Sequence, residues 1–569
     1  MKIPIIATMF AALLAASTAS AQMNPVNYSS SNLPADATEI PGQVVVEGDN
    51  LSSSELAALK AEYGLHSASS LSDEDEIELA DVAESDESAF IERLRHDRRV
   101  KAVSRNMVYH ASSSFVPNDP EYPKQWGLKR IGMETAWNYT AGMNVIVAVL
   151  DTGLAPIKDL ERTTILPGWN AVDDNDNVMD RHGHATHVSG TLAGSSNEGF
   201  GCAGIAYEAK LLPVKVLGDG GQGSTAGISS AIVWATKHGA NVINMSLGGG
   251  GRDAVMSDAC KFARDHGVVV VCAAGNSGRS PVEYPAAYEG NVAVSATDSS
   301  DHIASFSSRG KVSIGSPGVG IVQSTIDRNG GDGESPQSFN GSSMASPMSA
   351  GSVALLESFG LRGEKAKEAL LSNTDKKDDP TLFGAGILNA AKAVKSVYWS
   401  QLAWRTGMLF LFAWFMKRKI NSAGGTPVKP STPGMLLAGT GLVPFLPLVG
   451  WLPKLGNLRL IGEMGIRPFG TWDVLYSANV HNWLPLASCV PSAILLLIGF
   501  GSATLRKFTG GFSLGAAALL AQLTIQNDGD WSMLFRGLMV VNLAVCLWAA
   551  RSCLDSKLIS SPTTSNQPL

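Results

Sequence analysis

The chain has 569 residues, a formal net charge of -7 and only 17% charged residues. A chain of this length is expected to form several domains, because a single hydrophobic core stops growing at about 250–300 residues. The acidic balance argues against nucleic acid as the main partner. Acidic runs such as Asp73–Glu76 lie in the N-terminal part, whereas charges are sparse after residue 396. This asymmetry predicts a soluble region followed by a membrane region.

Residues 1–21 have the parts of a secretory signal peptide. Lys2 gives a positive start, residues 5–16 are apolar, and Ala19-Ser20-Ala21 is a small-x-small cleavage site. An uncleaved anchor helix is the alternative, but the apolar run is short for a membrane span. We therefore predict that residues 1–21 are removed after export.

Residues 22–112 alternate short β-branched runs with helical segments in the order strand, helix, strand, helix, strand. This pattern predicts a small α+β domain. The segment 111–123 is rich in Ser and then in Pro, which is typical of an exposed linker.

Residues 113–396 read as an α/β domain. Apolar runs that fit buried strands alternate with helical segments, as in 145–150, 209–216, 242–245, 268–273 and 292–296. Strands that are apolar on both faces indicate a parallel sheet with helices on both sides. Such sheets carry their sites at the carboxyl ends of the strands.

The rest of the chain is predicted to be a helical membrane domain. We divide it into a first membrane segment with a basic flank, a Pro/Gly linker, a multi-span region and a tail: 397–420, 421–434, 435–552 and 553–569. Five apolar segments predict five spans: 397–416, 435–453, 483–505, 510–526 and 533–550. A four-span arrangement, with the first segment lying in the membrane interface, stays open.

Basic clusters give the expected orientation. They follow the first, third and fifth apolar segments: Lys417–Lys419, Arg506 with Lys507, and Arg551 with Lys557. Five spans would put all three in the cytoplasm if the preceding domain is exported, as the positive-inside rule requires. Lys454, Arg459 and Arg467 conflict with this arrangement, because their loop would face outside. We expect a bacterial inner membrane with the α/β domain on its extracytoplasmic side.

Three short motifs carry candidate chemistry. They are Val147–Gly153, which ends a buried strand in Asp-Thr-Gly, His182–Gly190, and Asn340–Pro347. Taken singly, an Asp at a strand end is a common turn residue, a His-rich run suits zinc, and Gly-Ser-Ser before a helix is a common N-cap. The zinc interpretation lacks a further Cys or acidic ligand in the motif.

Together the three motifs are more specific, because the chain order Asp, His, Ser is that of subtilisin. Residues 113–396 resemble the catalytic domain of the subtilase family, whose signature sequences match all three motifs. The resemblance implies a serine endopeptidase acting on protein or peptide substrates, with Ser343 as nucleophile, His184 as general base and Asp151 orienting His184.

The resemblance extends to the groups that would surround the substrate. Asn276 matches the family's oxyanion donor. Ser246, Leu247 and Gly248 match the segment that pairs with the substrate backbone and forms one wall of the primary specificity pocket, and Ala274 with Gly275 matches the other wall.

Glu283 matches the base of that pocket, where a carboxylate would favour Lys or Arg before the scissile bond. The alternative is that Glu283 faces solvent.

The resemblance implies no cofactor for the chemistry, but it suggests a structural calcium ion held by Asp159 and Asn197, with Asp119 as a further candidate. Residues 22–112 resemble the family's inhibitory propeptide, which would make the protein a zymogen cleaved near Ser112. That junction is not basic, which conflicts with the Glu283 hypothesis. Cys260 and Cys272 are expected either to pair or to be buried free thiols. A catalytically slow peptide-binding sensor or scaffold remains the alternative function.

Overall fold

The computed structural model describes most of the chain in ten segments: 39–68, 76–83, 85–107, 115–249, 251–327, 333–450, 453–472, 488–499, 502–526 and 532–559. The predicted signal peptide and the predicted propeptide junction near Ser112 lie outside the described residues. The chain divides into two compact units, Met1–Ser112 and Ser113–Leu569.

The first unit is an α+β domain, as its sequence pattern predicts. Four antiparallel strands lie in the order β2-β3-β1-β4: β1 (Glu39–Gly48), β2 (His66–Ser67), β3 (Ile77–Asp81) and β4 (Val100–Met107). Two helices accompany them, α1 (Ser53–Tyr63) and α2 (Glu87–Arg95). Helix α1 begins where Ser52 and Glu55 form a capping box. Alternating buried residues of β1 pack on Leu59 and Leu94, which are fully buried.

The second unit contains an eight-stranded parallel sheet. Seven strands lie in the order β12-β11-β10-β9-β5-β8-β6, and β7 pairs with β8. Their bounds are β5 (Ile146–Asp151), β6 (Thr164–Ile165), β7 (Trp169–Asn170), β8 (Lys210–Lys215), β9 (Val242–Met245), β10 (Val269–Ala273), β11 (Val292–Thr297) and β12 (Ile314–Pro317). Every residue of β5, β9, β10 and β11 is buried, which explains their continuous apolar sequences.

Helices cover both faces of this sheet and enclose two hydrophobic cores. They are α3 (Trp126–Arg130), α4 (Met133–Ala136), α5 (His184–Ala193), α6 (Thr225–Lys237), α7 (Ala254–Asp265), α8 (Ser342–Glu357), α9 (Gly363–Ser372) and α10 (Pro380–Phe383). A hairpin of β13 (Ile321–Ile326) and β14 (Glu334–Phe339) precedes α8. All six cysteines are free, and Cys260 and Cys272 are both buried.

The C-terminal region is helical. Its elements are α11 (Ala390–Ser422), α12 (Thr432–Gly439), α13 (Arg459–Ile466), α14 (Val490–Gly499), α15 (Ala503–Gln526), α16 (Ser532–Leu554) and α17 (Ser556–Ile559). Helix α11 crosses the domain boundary predicted at residue 396 without a break. Its first turns pack in the core of the α/β domain, where Val394 is fully buried.

Two predicted spans are not continuous helices. In the second, α12 ends at Gly439, and Gly441, Pro444 and Pro447 follow, which prevents the helix from continuing. The third predicted span is interrupted at residue 502, which belongs neither to α14 nor to α15. Arg506 therefore lies in the first turn of α15 and not in a loop between spans. Within the described residues, two helical stretches are long and apolar enough to cross a membrane, Ala503–Ile525 and Arg536–Leu554.

The chain after α11 brings the three basic clusters to one end of the helical region. The Val428 amide donates to the Leu554 carbonyl at 2.8 Å, next to the end of α16. The Ser431 amide donates to the Lys507 carbonyl at 2.9 Å, at the start of α15. The end of α11, the start of α15 and the end of α16 therefore lie together, and each carries one of the clusters.

Two of the three basic residues that conflict with the predicted orientation, Arg459 and Arg467, lie against the α/β domain. Arg459 pairs with Glu208 at 2.9 Å, and its guanidinium also donates to the hydroxyl of Tyr207. Arg467 pairs with Glu463 at 2.8 Å and donates to the Ser358 carbonyl. These two arginines are therefore used to attach the segment 453–472, which we call the docking segment, to the α/β domain.

Candidate active site

The predicted catalytic residues come together at the carboxyl ends of adjacent parallel strands. Asp151 is the last residue of β5, and Ser246 directly follows β9, the next strand of the sheet. His184 is the first residue of α5, and Ser343 lies in the first turn of α8. His184, Ser246 and Ser343 line one open cleft of about 700 Å³.

Asp151 and His184 form a hydrogen-bonded pair. The Nδ1 atom of His184 lies 2.8 Å from Oδ1 and 3.0 Å from Oδ2 of Asp151. The Asp151 side chain is fully buried, and the Thr152 amide donates to its Oδ1 at 2.7 Å. A buried carboxylate at Nδ1 fixes the tautomer that leaves Nε2 as the proton acceptor.

Ser343 lies beside the segment that follows β9. Its hydroxyl donates to the Ser246 carbonyl at 3.1 Å, and the Ser246 hydroxyl donates to the Ser343 carbonyl at 2.7 Å. Deeper in the fold, the Ser346 hydroxyl donates to Asn244 at 2.7 Å. These bonds join the start of α8 to the end of β9 and fix the position of the Ser343 backbone.

Asn276 is held by the residue next to Ser343. Its Oδ1 accepts from both the backbone amide and the hydroxyl of Ser342, each at 2.9 Å. The amide oxygen is thereby occupied, and the Nδ2 donor lies 3.6 Å from the position that a Cβ on Gly341 would take. The donor is thus fixed beside the Ser343 backbone.

Glu283 lies between the two predicted pocket walls. A Cβ added to Gly248 would meet Glu283 Oε2 at 2.6 Å, and one added to Gly275 would meet its Cδ at 2.4 Å. Gly275 also has φ +106°, a conformation suited to glycine. The Ser277 hydroxyl donates to Glu283 Oε1 at 2.6 Å, and the Glu283 amide donates to the Ala274 carbonyl at 2.9 Å. Glu283 is half-buried and does not simply face solvent.

The remaining members of the predicted substrate segment lie on the same cleft. Leu247 and Gly248 both line it. The Gly249 amide donates to the Tyr284 carbonyl at 3.1 Å, which connects this wall to the chain after Glu283.

The two other histidines of the motif differ in environment. His187 is fully buried, stacks on Phe339 and has its Nε2 3.1 Å from the Ile321 carbonyl oxygen, which is a structural position. His182 lines the cleft, with its ring centroid 6.2 Å from that of His184.

Sequence reasoning missed Asp180, a buried carboxylate four residues before His184. Its oxygens accept from the Thr152 hydroxyl at 2.9 Å, the His182 and Gly183 amides at 2.9 Å, and the Thr186 amide and hydroxyl at 3.0 and 2.7 Å. Burial opposes ionisation, but the hydrogen bonds outweigh it and hold the pKa of Asp180 below its usual value. Its position two residues before the His motif was the signal that the sequence offered.

The predicted calcium ligands are only partly suited to a cation. Asp159 is buried, its Oδ1 has no hydrogen-bond partner, and burial raises its pKa to about 7. Asn197, in contrast, already accepts from the Asn118 amide at 3.4 Å, and the Asn197 amide donates to Asp119 at 2.7 Å. Among the described residues no group of three or more His, Cys, Asp or Glu side chains could hold a metal ion.

Comparison with known proteins agrees with this geometry. The family model described as the subtilase family matches residues 142–386. Thermitase from Thermoactinomyces vulgaris is 34% identical over 284 residues, which are 49% of this chain and 100% of thermitase. The chain belongs to the subtilase family. As a subtilase, it has the subtilisin-like α/β fold and is a serine-type endopeptidase.

Two further subtilases show how much of the chain such matches cover. Subtilisin Savinase from Lederbergia lenta is 38% identical over 274 residues, which are 48% of this chain and 98% of that protein. The thermophilic serine proteinase of Bacillus sp. (strain AK1) is 36% identical over 310 residues, or 54% of this chain and 75% of that protein. Each of these matches covers about half of the chain.

Proposed function

We propose that this subtilase is a membrane-anchored endopeptidase in which Ser343, His184 and Asp151 hydrolyse the peptide bond. The observation that carries the proposal is the buried Asp151 carboxylate 2.8 Å from Nδ1 of a histidine that shares its cleft with Ser343. His184 Nε2 takes the proton from the Ser343 hydroxyl as Oγ attacks the carbonyl carbon, and Asp151 stabilises the imidazolium. His184 then protonates the leaving amine, and a water molecule hydrolyses the acyl-enzyme by the same steps in reverse.

The tetrahedral intermediate needs donors at its oxyanion. The Nδ2 group of Asn276 and the backbone amide of Ser343 supply them, and the two bonds from Ser342 to Asn276 Oδ1 hold Nδ2 in place before substrate arrives. The Ser343 hydroxyl must leave the Ser246 carbonyl and turn to His184. Such adjustment on binding is common, because catalytic hydrogen bonds often tighten only in the substrate complex.

An active-site probe tests the reaction. A fluorophosphonate should label the mature protein, and Ser343→Ala should abolish the labelling. Failure of the mature wild type to label would refute the peptidase proposal and favour the peptide-binding alternative. The same Ser343→Ala variant should accumulate as an uncleaved precursor if residues 22–112 are an inhibitory propeptide that the enzyme removes itself.

The proposed specificity rests on Glu283. A half-buried carboxylate between two glycine-lined walls would pair with a Lys or Arg side chain before the scissile bond. The Ser277 hydroxyl holds this carboxylate in position.

Membrane anchoring is supported by apolar side chains that have no protein cover. On α11, Phe410 is 64% exposed and Trp414 56%, and on α16, Val541 is 59% and Trp548 61% exposed. Patches of this kind on one region mark contact with lipid or another protein. Two helical stretches also have the length and composition of a span.

The proposed orientation puts the active site outside the cytoplasm. All three basic clusters lie together at one end of the helical region, as the positive-inside rule requires of a cytoplasmic end. Protease treatment of spheroplasts should degrade the α/β domain and leave an epitope tag after Leu569 intact. Protection of the α/β domain would reverse the orientation.

A further inference from the structure

A second cavity lies where the helical region meets the α/β domain, far along the chain from the catalytic residues. It has about 30 Å³ of space, which holds about two water molecules. Its surface is mostly apolar, but the side chains of Gln401, Arg405, Arg467, Thr471 and Gln522 reach it. Two arginines in a largely apolar cavity are unusual and need an explanation.

Among the described residues, no carboxylate pairs with Arg405 in this cavity. The residue is 4% exposed, and its Nε has no hydrogen-bond partner. The titratable groups that act on it are Tyr398 and Arg467. Tyr398 is not anionic at neutral pH, and its hydroxyl already donates to the Pro444 carbonyl at 2.6 Å. An unpaired buried guanidinium is costly, so the site calls for an anion.

The nearby carboxylates are already used. Glu463 pairs with Arg467 at 2.8 Å, and Glu208 pairs with Arg459 at 2.9 Å. Among the described residues around the cavity, three arginines therefore accompany two carboxylates, and the excess positive charge belongs to Arg405.

We infer that this cavity binds one small oxyanion of the phosphate type on Arg405. A guanidinium presents its donors in a planar fork that matches phosphate oxygens, and the Gln401 and Gln522 amides are neutral polar groups beside it. The space is too small for a peptide or a sugar. Trp404, the neighbour of Arg405 on α11, is 37% exposed, which suits the depth of lipid headgroups. The anion comes either from a headgroup phosphate or from free phosphate, and the inference does not depend on peptidase activity.

Thermal unfolding of the full-length protein in neutral detergent tests the site, in a Ser343→Ala background that prevents self-digestion. The Ser343→Ala protein, which serves as the parent, is titrated with sodium phosphate, and sodium chloride at equal ionic strength is the control. A separate titration uses phosphatidylglycerol in mixed micelles. Arg405→Gln removes the charge and keeps an amide. Arg418→Gln is the control, because Arg418 is an exposed residue on the same helix.

Phosphate-type ligands should raise the unfolding temperature of the parent and of Arg418→Gln by about 2–4 °C at ten times the dissociation constant. Arg405→Gln should show no such shift. Because it removes an unpaired buried charge, it should be at least as stable as the parent without anion. If it does not fold, Arg405→Lys should fold and need at least tenfold more phosphate. A response to phosphatidylglycerol alone assigns the headgroup, and a response to sodium phosphate, with or without a response to the lipid, shows that the free ion binds. No shift in the parent with either ligand, or an equal shift in the Arg405 variant, would overturn the inference.

Discussion

Asp180 gives the sharpest test of how the site is built, because it contacts the catalytic histidine's loop without contacting substrate. Its Oδ1 accepts from Thr152, His182 and Gly183, while its Oδ2 accepts from the amide and hydroxyl of Thr186. Asp180→Asn keeps the shape and can keep Oδ1. The NH₂ group of the new side chain takes the place of Oδ2. It faces the Thr186 N–H, and because both groups are donors, the hydrogen bond from Thr186 is lost.

The size of the effect follows from these contacts. One buried backbone N–H loses its acceptor, which costs about 1–3 kcal/mol and lowers the unfolding temperature by about 2–5 °C in a domain of this size. Gly183, at φ +83°, and Thr152 flank His184 and Asp151, so a shift of this loop moves the imidazole. Small misplacements of a catalytic group cost up to about 10²-fold in rate. We expect kcat to fall about 10- to 100-fold with KM nearly unchanged.

The assay compares Asp180→Asn with Asp176→Asn, an exposed carboxylate in the same loop. Steady-state kinetics on a soluble peptide gives kcat and KM separately, and thermal unfolding is measured against pH. The pKa of Asp180 is lower in the folded protein than the value of about 3.9 in the unfolded chain. The ionised carboxylate therefore contributes its full stability at pH values above about 3.9, and this contribution is lost as the pH falls through the folded pKa. The stability gap between wild type and Asp180→Asn should therefore be constant near neutral pH and narrow in acid. Equal kcat values in the two variants would refute the reasoning.

Three further outcomes are expected. Glu283→Gln should lower the ratio of cleavage after Lys to cleavage after Phe about tenfold or more. The control variant Glu289→Gln changes an exposed carboxylate and should leave this ratio unchanged. An unaltered ratio in both variants would exclude Glu283 as a specificity residue. If the unpaired Asp159 oxygen binds a cation, calcium should raise the unfolding temperature of wild type but not of Asp159→Asn, and chelation should reverse the effect. An equal rise in the unfolding temperature of both proteins would exclude Asp159 as a ligand. Arg459→Met leaves Glu208 without its partner, at a cost of about 3–5 kcal/mol, and should speed amide exchange across α13, unlike the exposed Lys454→Met. Exchange at the same rate in both would show that the ion pair does not hold the docking segment.

The parallel sheet could be predicted from the sequence because its central strands are buried on both faces. Val147–Val149 and Val269–Val271 are continuous apolar runs. Such runs are typical of strands in a parallel sheet that helices cover on both faces. The relation of Asp151 to His184 was implied by the resemblance of their motifs to the subtilase signature sequences. The role of Asp180 could not be predicted, because its partners are mostly backbone amides, which leave no signature in side-chain identity.

The helical region was harder to predict because hydropathy reports composition and not continuity. The segment 435–453 is apolar throughout, yet Gly441, Pro444 and Pro447 end its helix. The docking segment was missed for another reason. Arg459 pairs with Glu208, which lies 251 positions earlier, and no local pattern reveals such a distant partner.

Two connections fix the cleft relative to the helical region. Helix α11 leaves the core of the α/β domain without a linker, and a helix of 33 residues is about 50 Å long. The docking segment is a second attachment, made through the ion pair of Arg459 with Glu208 and the hydrogen bond from Arg467 to the Ser358 carbonyl. A single continuous helix alone would allow bending about one axis, whereas two attachments restrict it. If the helical region spans a bilayer, the cleft is therefore held at a set height above the membrane, and the enzyme selects substrates by where their cleavable segments lie as well as by their sequence.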